Sequence, residues 1–366
     1  MLSVANNPNF EKITEESFGE QLYELIENLF PICRSITGNG VRKSLEIIKD
    51  QIPITLHEIP SGTKVFDWVV PKEWNITDAY IKDSKNNKII DFKKSNLHVL
   101  NYSIPIKKKI NFNELKDHLH TLPDHPDWIP YLTSYYNEEW GFCLSQKQFE
   151  QMTEENYDIC IESTLNNGSL TYGELFIQGE TNNEILFSCY ICHPSMCNDN
   201  LSGVAIVTFI AKILKELKTK YSYRFLFIPE TIGAITWLSI NEKNANKIKF
   251  GMVATCVGDY GHSTYKKTKH GDTYLDKIVE KVLVDTNEKF DIIDFFPWGS
   301  DERQFSSLGF NIPVGSLMRT PYADKKFPEY HTSADNLEFM NKESLNDSLI
   351  KYLKIINIFE NDEKYL

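Results

Sequence analysis

Three apolar runs of strand length in the second half of the chain alternate with segments of helical pattern. The runs cover residues 184–192, 223–229 and 248–257, and helical patterns follow the first two at 204–217 and 231–240. Strands that alternate with helices predict βαβ units and parallel strand pairing. The fold class that we expect is α/β, with a mixed, mainly parallel sheet flanked by helices.

An ionisable side chain follows each of these three strands. His193 comes directly after the first strand, Glu230 directly after the second, and Asp259 just past the third. In open α/β sheets, ligands bind beyond the carboxyl ends of the parallel strands. We therefore expect these side chains to lie at one edge of the sheet, in a binding or catalytic cleft.

Four residues have the chemistry of a catalytic zinc site. His193 and Asp199 offer an imidazole nitrogen and a carboxylate oxygen, which zinc prefers, and Pro194 restricts the short loop between them. His331, in a later polar loop, could supply a third ligand. Glu230 follows an apolar strand, where partial burial would raise its pKa towards that of a useful general base.

Simpler explanations of these residues remain open. His193 could be a hydrogen-bonded histidine at a strand end, and Asp199 could cap the following helix. Glu230 could simply be a carboxylate that interacts favourably with the dipole at a helix N-terminus, without any catalytic role. Three carboxylates near the last candidate ligand could orient the ligands without touching the ion, namely Asp301, Glu302 and Asp335.

Other groups of metal-binding residue types are weaker candidates. The cysteines Cys189, Cys192 and Cys197 resemble a thiolate cluster, but two of them lie on an apolar strand and no second cysteine pair follows. Histidines 118, 120 and 125 lie in a loop-like stretch among leucines and prolines. The glycine-bearing segment 35–40 precedes a helical pattern, but a plain turn explains it better than a phosphate site.

A change of composition and sequence pattern between residues 61 and 151 predicts a second domain. Tryptophans, prolines and short β-like runs appear there, and Asn86 and Asn87 are placed to turn a hairpin between 79–82 and 88–92. We expect a small β-rich or α+β domain at 61–151, inserted into a main domain formed by 1–60 and 152–366.

Charge and composition exclude several classes of partner and location. The net charge of -12, without a basic stripe, disfavours nucleic acid. The N-terminus lacks the pattern of a secretory signal, and no apolar run reaches the ~18 residues of a membrane span. Seven cysteines without a spaced framework suit a reducing compartment. We expect a cytoplasmic protein without disulfides that does not bind membranes.

The order of these motifs resembles that of the zinc aminopeptidases and glutamate-carboxypeptidase-like exopeptidases. In that family a strand ends in a ligand histidine, an Asp-Asn-x-Ser-Gly motif supplies a bridging aspartate, and a Glu-Glu pair supplies a base and a ligand. The matching positions are His193, Asp199-Asn-Leu-Ser-Gly203, Glu230, Gly299-Ser-Asp301 and Tyr330-His331-Thr332. The resemblance implies a zinc-exopeptidase-like fold and a metallohydrolase.

A closer resemblance is to a bacterial aminopeptidase-like family that has a small domain inserted after the first helices. It covers nearly the whole chain, through Leu29-Phe-Pro-Ile-Cys-Arg-Ser-Ile-Thr-Gly38, Asp67-Trp-Val-Val-Pro-Lys-Glu-Trp74, Cys192-His-Pro-Ser195, Pro229-Glu-Thr-Ile-Gly233 and Glu329-Tyr-His-Thr-Ser333. Such proteins often belong to gene sets for surface-polysaccharide or modified-sugar synthesis. Members often end in a winged-helix domain, for which we expect no room after the closing helix.

Three departures from the peptidase pattern predict one zinc ion rather than two. Ser195, Thr231 and Cys256 stand where the peptidases have an aspartate, the second glutamate and a later aspartate ligand. The remaining candidate ligands are His193, Asp199 and His331, with Glu230 as the base, while Asp259 or Cys256 could add a ligand. We expect an aminopeptidase-like hydrolase acting on an amide bond of a peptide-like or small-molecule substrate, and a homo-oligomer is possible. The alternatives are an amide-forming or acyl-transferring enzyme acting on a sugar, and a non-catalytic binding protein.

Overall fold

The computed structural model describes residues 2–3, 8–297, 299–321 and 327–362. In chain order the strands are β1 (Leu2–Ser3), β2 (Thr55–Pro60), β3 (Lys64–Val65), β4 (Trp68–Val69), β5 (Glu73–Lys82), β6 (Lys88–Asp91), β7 (Ile106–Asn111), β8 (Leu119–His120), β9 (Phe142–Cys143), β10 (Asn156–Asn166), β11 (Ser169–Ile177), β12 (Glu184–Tyr190), β13 (Leu217–Lys218), β14 (Ser222–Ile228), β15 (Ile248–Val253), β16 (Ser263–Lys266), β17 (Phe290–Ile293) and β18 (Val314–Met318).

The helices alternate with these strands mainly in the second half of the chain. In order they are α1 (Pro8–Ile13), α2 (Gly19–Leu29), α3 (Asn39–Gln51), α4 (Phe112–Leu115), α5 (Gln146–Glu150), α6 (Ser202–Leu214), α7 (Ile232–Ile240), α8 (Glu242–Ala245), α9 (Tyr274–Asp285), α10 (Glu302–Phe305) and α11 (Lys342–Asn361).

An eight-stranded mixed sheet forms the centre of the main domain, in the order β17-β16-β18-β15-β12-β14-β11-β2. The pairs β18-β15, β15-β12 and β12-β14 are parallel, and β11 and β2 add antiparallel strands at one side. Every residue of β12 and β14 is buried, as expected for parallel strands covered on both faces. The predicted mixed, mainly parallel α/β fold is confirmed.

A second, antiparallel sheet of four strands has the order β6-β5-β10-β7. The predicted hairpin is present as β5-β6, with Asn86 in the left-handed region at φ 67° in its turn. Three of the four strands come from the predicted insert at 61–151, but β10 lies beyond residue 151. The small sheet thus extends past the expected boundary, because its longest strand runs through a short link into β11 of the main sheet.

The hydrophobic core lies on both faces of the large sheet. One cluster joins α2, α3, α6 and α11 to the first face. The other joins the second face to the small sheet, so that Leu186 and Tyr190 of β12 share it with Trp74 and Ile81 of β5. The small sheet therefore shares its core with the main domain, and this packing fixes the two relative to each other.

Contrary to the expectation from the sequence, one stretch, Cys197–Leu214, is long and apolar enough to cross a membrane by length and composition, with a mean hydropathy of 1.2. However, 89% of it is buried inside the protein, which is the behaviour of a core helix. It contains α6, which packs against β12, α2 and α11.

Candidate metal centre

Four separate segments carry the predicted site residues to one edge of the main sheet. His193 follows β12, and Glu230 follows β14, which is its parallel neighbour. Asp199 lies in an irregular turn, Cys197–Leu201, that leads into α6 and contains a cis peptide bond after Asp199. His331 lies in the loop between β18 and α11.

The structure brings two imidazoles and one carboxylate together. Ligand atoms of His193, Asp199 and His331 all lie within 4.8 Å of one another. Asp199 Oδ2 is 3.0 Å from His331 Nε2 and 3.9 Å from His193 Nε2. His193 and Asp199 are buried, whereas the His331 side chain is 33% exposed and leaves the site accessible from one side.

The donor set fits a cation such as zinc. Asp199 Oδ2 and His331 Nε2 are buried atoms that have no hydrogen-bond partner within the described part of the chain. They face each other at 3.0 Å, but their geometry is not that of a hydrogen bond. Buried polar atoms are normally satisfied, so a carboxylate oxygen and an imidazole nitrogen left this way, with His193 Nε2 3.9 Å from the same oxygen, suit a shared ion.

Electrostatics favours the ligand-competent forms of His193 and Asp199. Burial lowers the pKa of His193 to about 4, which keeps its imidazole neutral at pH 7. Burial alone would raise the pKa of Asp199, but His193, His331 and a hydrogen bond from Tyr190 outweigh it and lower the pKa to about 2. Metal ligation needs a neutral imidazole and an ionised carboxylate.

Further buried groups hold these ligands in place. The Tyr190 hydroxyl donates to Asp199 Oδ1 and lies 2.7 Å from Thr255 Oγ1. The Arg34 guanidinium, which is completely buried, donates from Nε to the carbonyl of His193 at 2.9 Å. No sequence pattern pointed to Tyr190. The only signal for Arg34 was its place within a recognised family motif.

Asp335 orients the turn that carries Asp199. Its carboxylate accepts the backbone N–H groups of Cys197 at 3.1 Å, Asn198 at 2.6 Å and Asp199 at 2.9 Å. These bonds satisfy donors of an irregular turn that has no regular helical partners. Asp335 thus holds the turn that carries the candidate ligand Asp199 through its backbone.

Glu230 lies beside the candidate ligands. Its Oε2 is 3.8 Å from His193 Nε2, and its side chain is 25% exposed. Burial raises its pKa well above the ordinary value, and the charges of Asp301 and Asp199 raise it further. Asp301 accepts the backbone N–H of Thr231 at 2.7 Å and so fixes the residue next to Glu230. A carboxylate in this position can exchange protons with a group bound at the site.

The other candidate residues have different roles. Asp259 accepts from Asn198 Nδ2 at 2.9 Å and from the backbone of Gly261, and Cys256 packs in a small apolar cluster. Glu302 forms a buried ion pair with Lys266. Within the described ranges, neither Asp259 nor Cys256 belongs to the group of potential ligands.

Among the described residues, the other histidines and cysteines do not belong to the group of potential ligands, although Cys192 Sγ lies 3.5 Å from His193 Nδ1. His118 stacks on Trp140, and His125 stacks on Trp128. All seven cysteines are free thiols. Trp298, which begins a polar cluster noted in the sequence, lies outside the described residues.

Most of the chain matches one protein-family model. The model described as "Domain of unknown function (DUF4910)" matches residues 23–362. The chain belongs to this family. A Clostridium acetobutylicum protein is 62% identical over 348 residues, which make up 95% of this chain and 80% of that protein. Its name provisionally assigns it to polysaccharide biosynthesis and gives it an aminopeptidase-like domain.

Solved structures agree with the family assignment. A crystal structure of a C. acetobutylicum protein, provisionally named a peptidase, is 60% identical and has a TM-score of 0.94 over 97% of this chain and 83% of that chain. BSAP, a zinc aminopeptidase from Bacillus subtilis, has a TM-score of 0.67 at 12% identity, over 95% of this DUF4910 chain and 96% of that chain. The aminopeptidase-like fold expected from the sequence is confirmed.

Proposed function

We propose that this DUF4910 protein is a zinc-dependent hydrolase of the aminopeptidase type, which cleaves an amide or peptide bond. The observation that carries the proposal is the buried group of His193, Asp199 and His331, with the carboxylate of Glu230 3.8 Å from His193. The zinc aminopeptidase that shares the fold supports zinc as the ion.

Each of the four residues has a defined part in this proposal. His193, Asp199 and His331 would hold one zinc ion and leave a fourth position open. Zinc in such a site acidifies water and polarises a carbonyl oxygen. The Glu230 carboxylate takes the proton of the attacking water and returns it to the leaving amine. Burial raises the pKa of Glu230 above its ordinary value, which is the direction that favours accepting a proton.

Metal analysis combined with a Glu230→Gln variant tests this function. The purified protein should hold about one zinc per chain, since a catalytic site uses three protein ligands per ion. The variant should keep the zinc and lose roughly 10²- to 10⁴-fold in turnover, the usual contribution of a general base. Glu216→Gln, at a side chain 72% exposed, is the matched control. Undiminished turnover in Glu230→Gln would remove Glu230 from the mechanism.

A second candidate function uses the same site to form an amide or transfer an acyl group to a sugar. Two observations favour it: Thr231 stands where the peptidases have their second glutamate, and the Clostridium relative is named for polysaccharide biosynthesis. Screening the zinc-loaded protein against aminoacyl amides, acylated sugars and nucleotide sugars, with product analysis, separates the two reactions. A metal-free protein whose melting temperature is unchanged by His193→Ala would instead favour a binding protein without catalysis.

The proposed setting is the cytoplasm, and the proposed partner is a small-molecule or peptide-like substrate. The seven free thiols support a reducing compartment such as the cytoplasm. The net charge of -12 disfavours nucleic acid as a partner. Sedimentation of the purified protein would test whether the chain forms a homo-oligomer.

A further inference from the structure

Part of the inserted domain runs beside the loop that carries His331. The Tyr131 N–H donates to the His331 carbonyl at 2.7 Å, and the Ser333 N–H donates to the Ile129 carbonyl at 2.8 Å. In addition, the Ile129 N–H donates to Ser333 Oγ at 2.9 Å. These bonds form a short antiparallel bridge between the predicted insert, 61–151, and the candidate metal centre.

The side chain of Tyr131 reaches both loops that carry candidate ligands. Only 4% of Tyr131 is exposed, and its ring centroid is 5.3 Å from that of His193 and 5.1 Å from that of His331. The interplanar angles of 64° and 77° are those of edge-to-face packing, which stabilises aromatic pairs. Tyr131 also packs with Met196, which lies between His193 and Asp199 in the chain.

Ring packing is a prominent part of the surroundings of both imidazoles. Metal-binding imidazoles usually donate their second N–H to a carboxylate or carbonyl, which fixes the orientation of the ring. Among the described residues, His193 Nδ1 lies 3.5 Å from the weakly polar Sγ of Cys192. His331 stacks on Tyr330, with centroids 3.8 Å apart. Aromatic contacts therefore surround both imidazoles.

We propose that Tyr131 is a positioning residue of the metal centre, through which the inserted domain fixes the two imidazoles in the geometry that zinc needs. This inference rests on the proposed zinc function and assigns the inserted domain a part in it. Because Tyr131 contacts both loops at once, its removal frees both rings to turn away from Asp199. Zinc binding and docking of the segment at Ile129 and Tyr131 are then coupled, so each stabilises the other.

Two substitutions of Tyr131 distinguish the contribution of its ring to zinc binding from that of its hydroxyl group. Tyr131→Leu removes the ring contacts and should weaken zinc binding by roughly 10- to 100-fold, as loss of a supporting group around a metal does. Tyr131→Phe keeps the ring and should restore the dissociation constant to within about twofold of wild type. The dissociation constant is measured by competition with a chromogenic chelator at fixed pH. The melting temperature of the metal-free protein monitors folding.

The matched control is Tyr157→Leu in β10, because Tyr157 is also buried, at 2% exposure, but lies in the small sheet and packs against Phe112 of α4. It should lower the melting temperature and leave the zinc dissociation constant unchanged. The proposal is overturned if a folded Tyr131→Leu variant binds zinc as wild type does. It is also overturned if Tyr131→Phe is as weak as Tyr131→Leu, since the effect would then belong to the hydroxyl.

Hydrogen exchange on the wild-type protein gives a test that needs no variant. Zinc should slow exchange of the amides of Ile129, Tyr131 and Ser333, and leave the amide of Tyr157 in the small sheet unchanged. If zinc binds and the first three amides exchange at the same rate, the inference fails while the proposed function stands. If the wild-type protein binds no zinc at all, the proposed function itself fails.

Discussion

Replacing Asp199 by asparagine should remove most of the stability that zinc adds to the protein. One oxygen, Asp199 Oδ2, lies between the two imidazoles, 3.0 Å from His331 Nε2 and 3.9 Å from His193 Nε2. Without that charge, two neutral nitrogens remain to hold a divalent ion. At zinc 100 times above the wild-type dissociation constant, binding adds about 2.7 kcal/mol to the free energy of unfolding. If the variant binds roughly 100-fold more weakly, the same zinc adds only about 0.4 kcal/mol.

Urea unfolding of both proteins at pH 7, with and without zinc, measures this difference directly. The control is Asp276→Asn, which alters a buried carboxylate in the capping box of α9, away from the site. Asp276→Asn should lower the free energy of unfolding equally with and without zinc, because Asp276 is not one of the potential metal ligands among the described residues. An Asp199→Asn variant that gains as much stability from zinc as wild type would refute the ligand assignment.

Three further predictions concern charges and thiols outside the proposed catalytic step. A hydrogen bond from Arg42 lowers the pKa of Glu73 from 4.5 to about 2. The ionised Glu73 carboxylate therefore stabilises the folded state fully above about pH 4.5, and this stabilisation is lost as the pH falls towards 2. Glu73→Gln should therefore cost about 1–2 kcal/mol at pH 7, allowing for solvent screening, and much less near pH 2, measured by urea unfolding. Lys266→Met leaves Glu302 buried without its ion pair and should lower the free energy of unfolding by about 3–5 kcal/mol in the same assay. Cys256→Ala should leave the zinc content of the purified protein unchanged by elemental analysis, because Cys256 packs among apolar side chains; a loss of zinc would make it a ligand.

The sequence predicted local structure well wherever apolar periodicity was strong. The expected strands at 184–192 and 223–229 correspond to β12 and β14, whose residues are all buried. The expected helix at 231–240 is α7, Ile232–Ile240. The pairing of β10 with β5 and β7 could not be predicted in the same way, because these strands lie far apart in the chain and such pairing leaves no local signal.

The candidate ligands could be named from the sequence because strand ends place side chains at a known edge of a parallel sheet. His193 and Glu230 follow adjacent parallel strands, so their positions just after these strands were enough to predict that they lie at the same edge of the sheet. The family motifs then singled out Asp199 and His331. The distances among them, and the roles of their neighbours, required the three-dimensional structure.

The sequence by itself determined the α/β class, the succession of strands and helices, and the residue types available for binding a metal. These properties depend on periodicity and on residues close together in the chain. Only the tertiary structure decided that Tyr131, from the predicted insert, packs against both His193 and His331, and that buried Arg34 binds the carbonyl of His193. Such contacts join segments that are far apart in the chain, and they arise from packing in three dimensions, which no local pattern encodes.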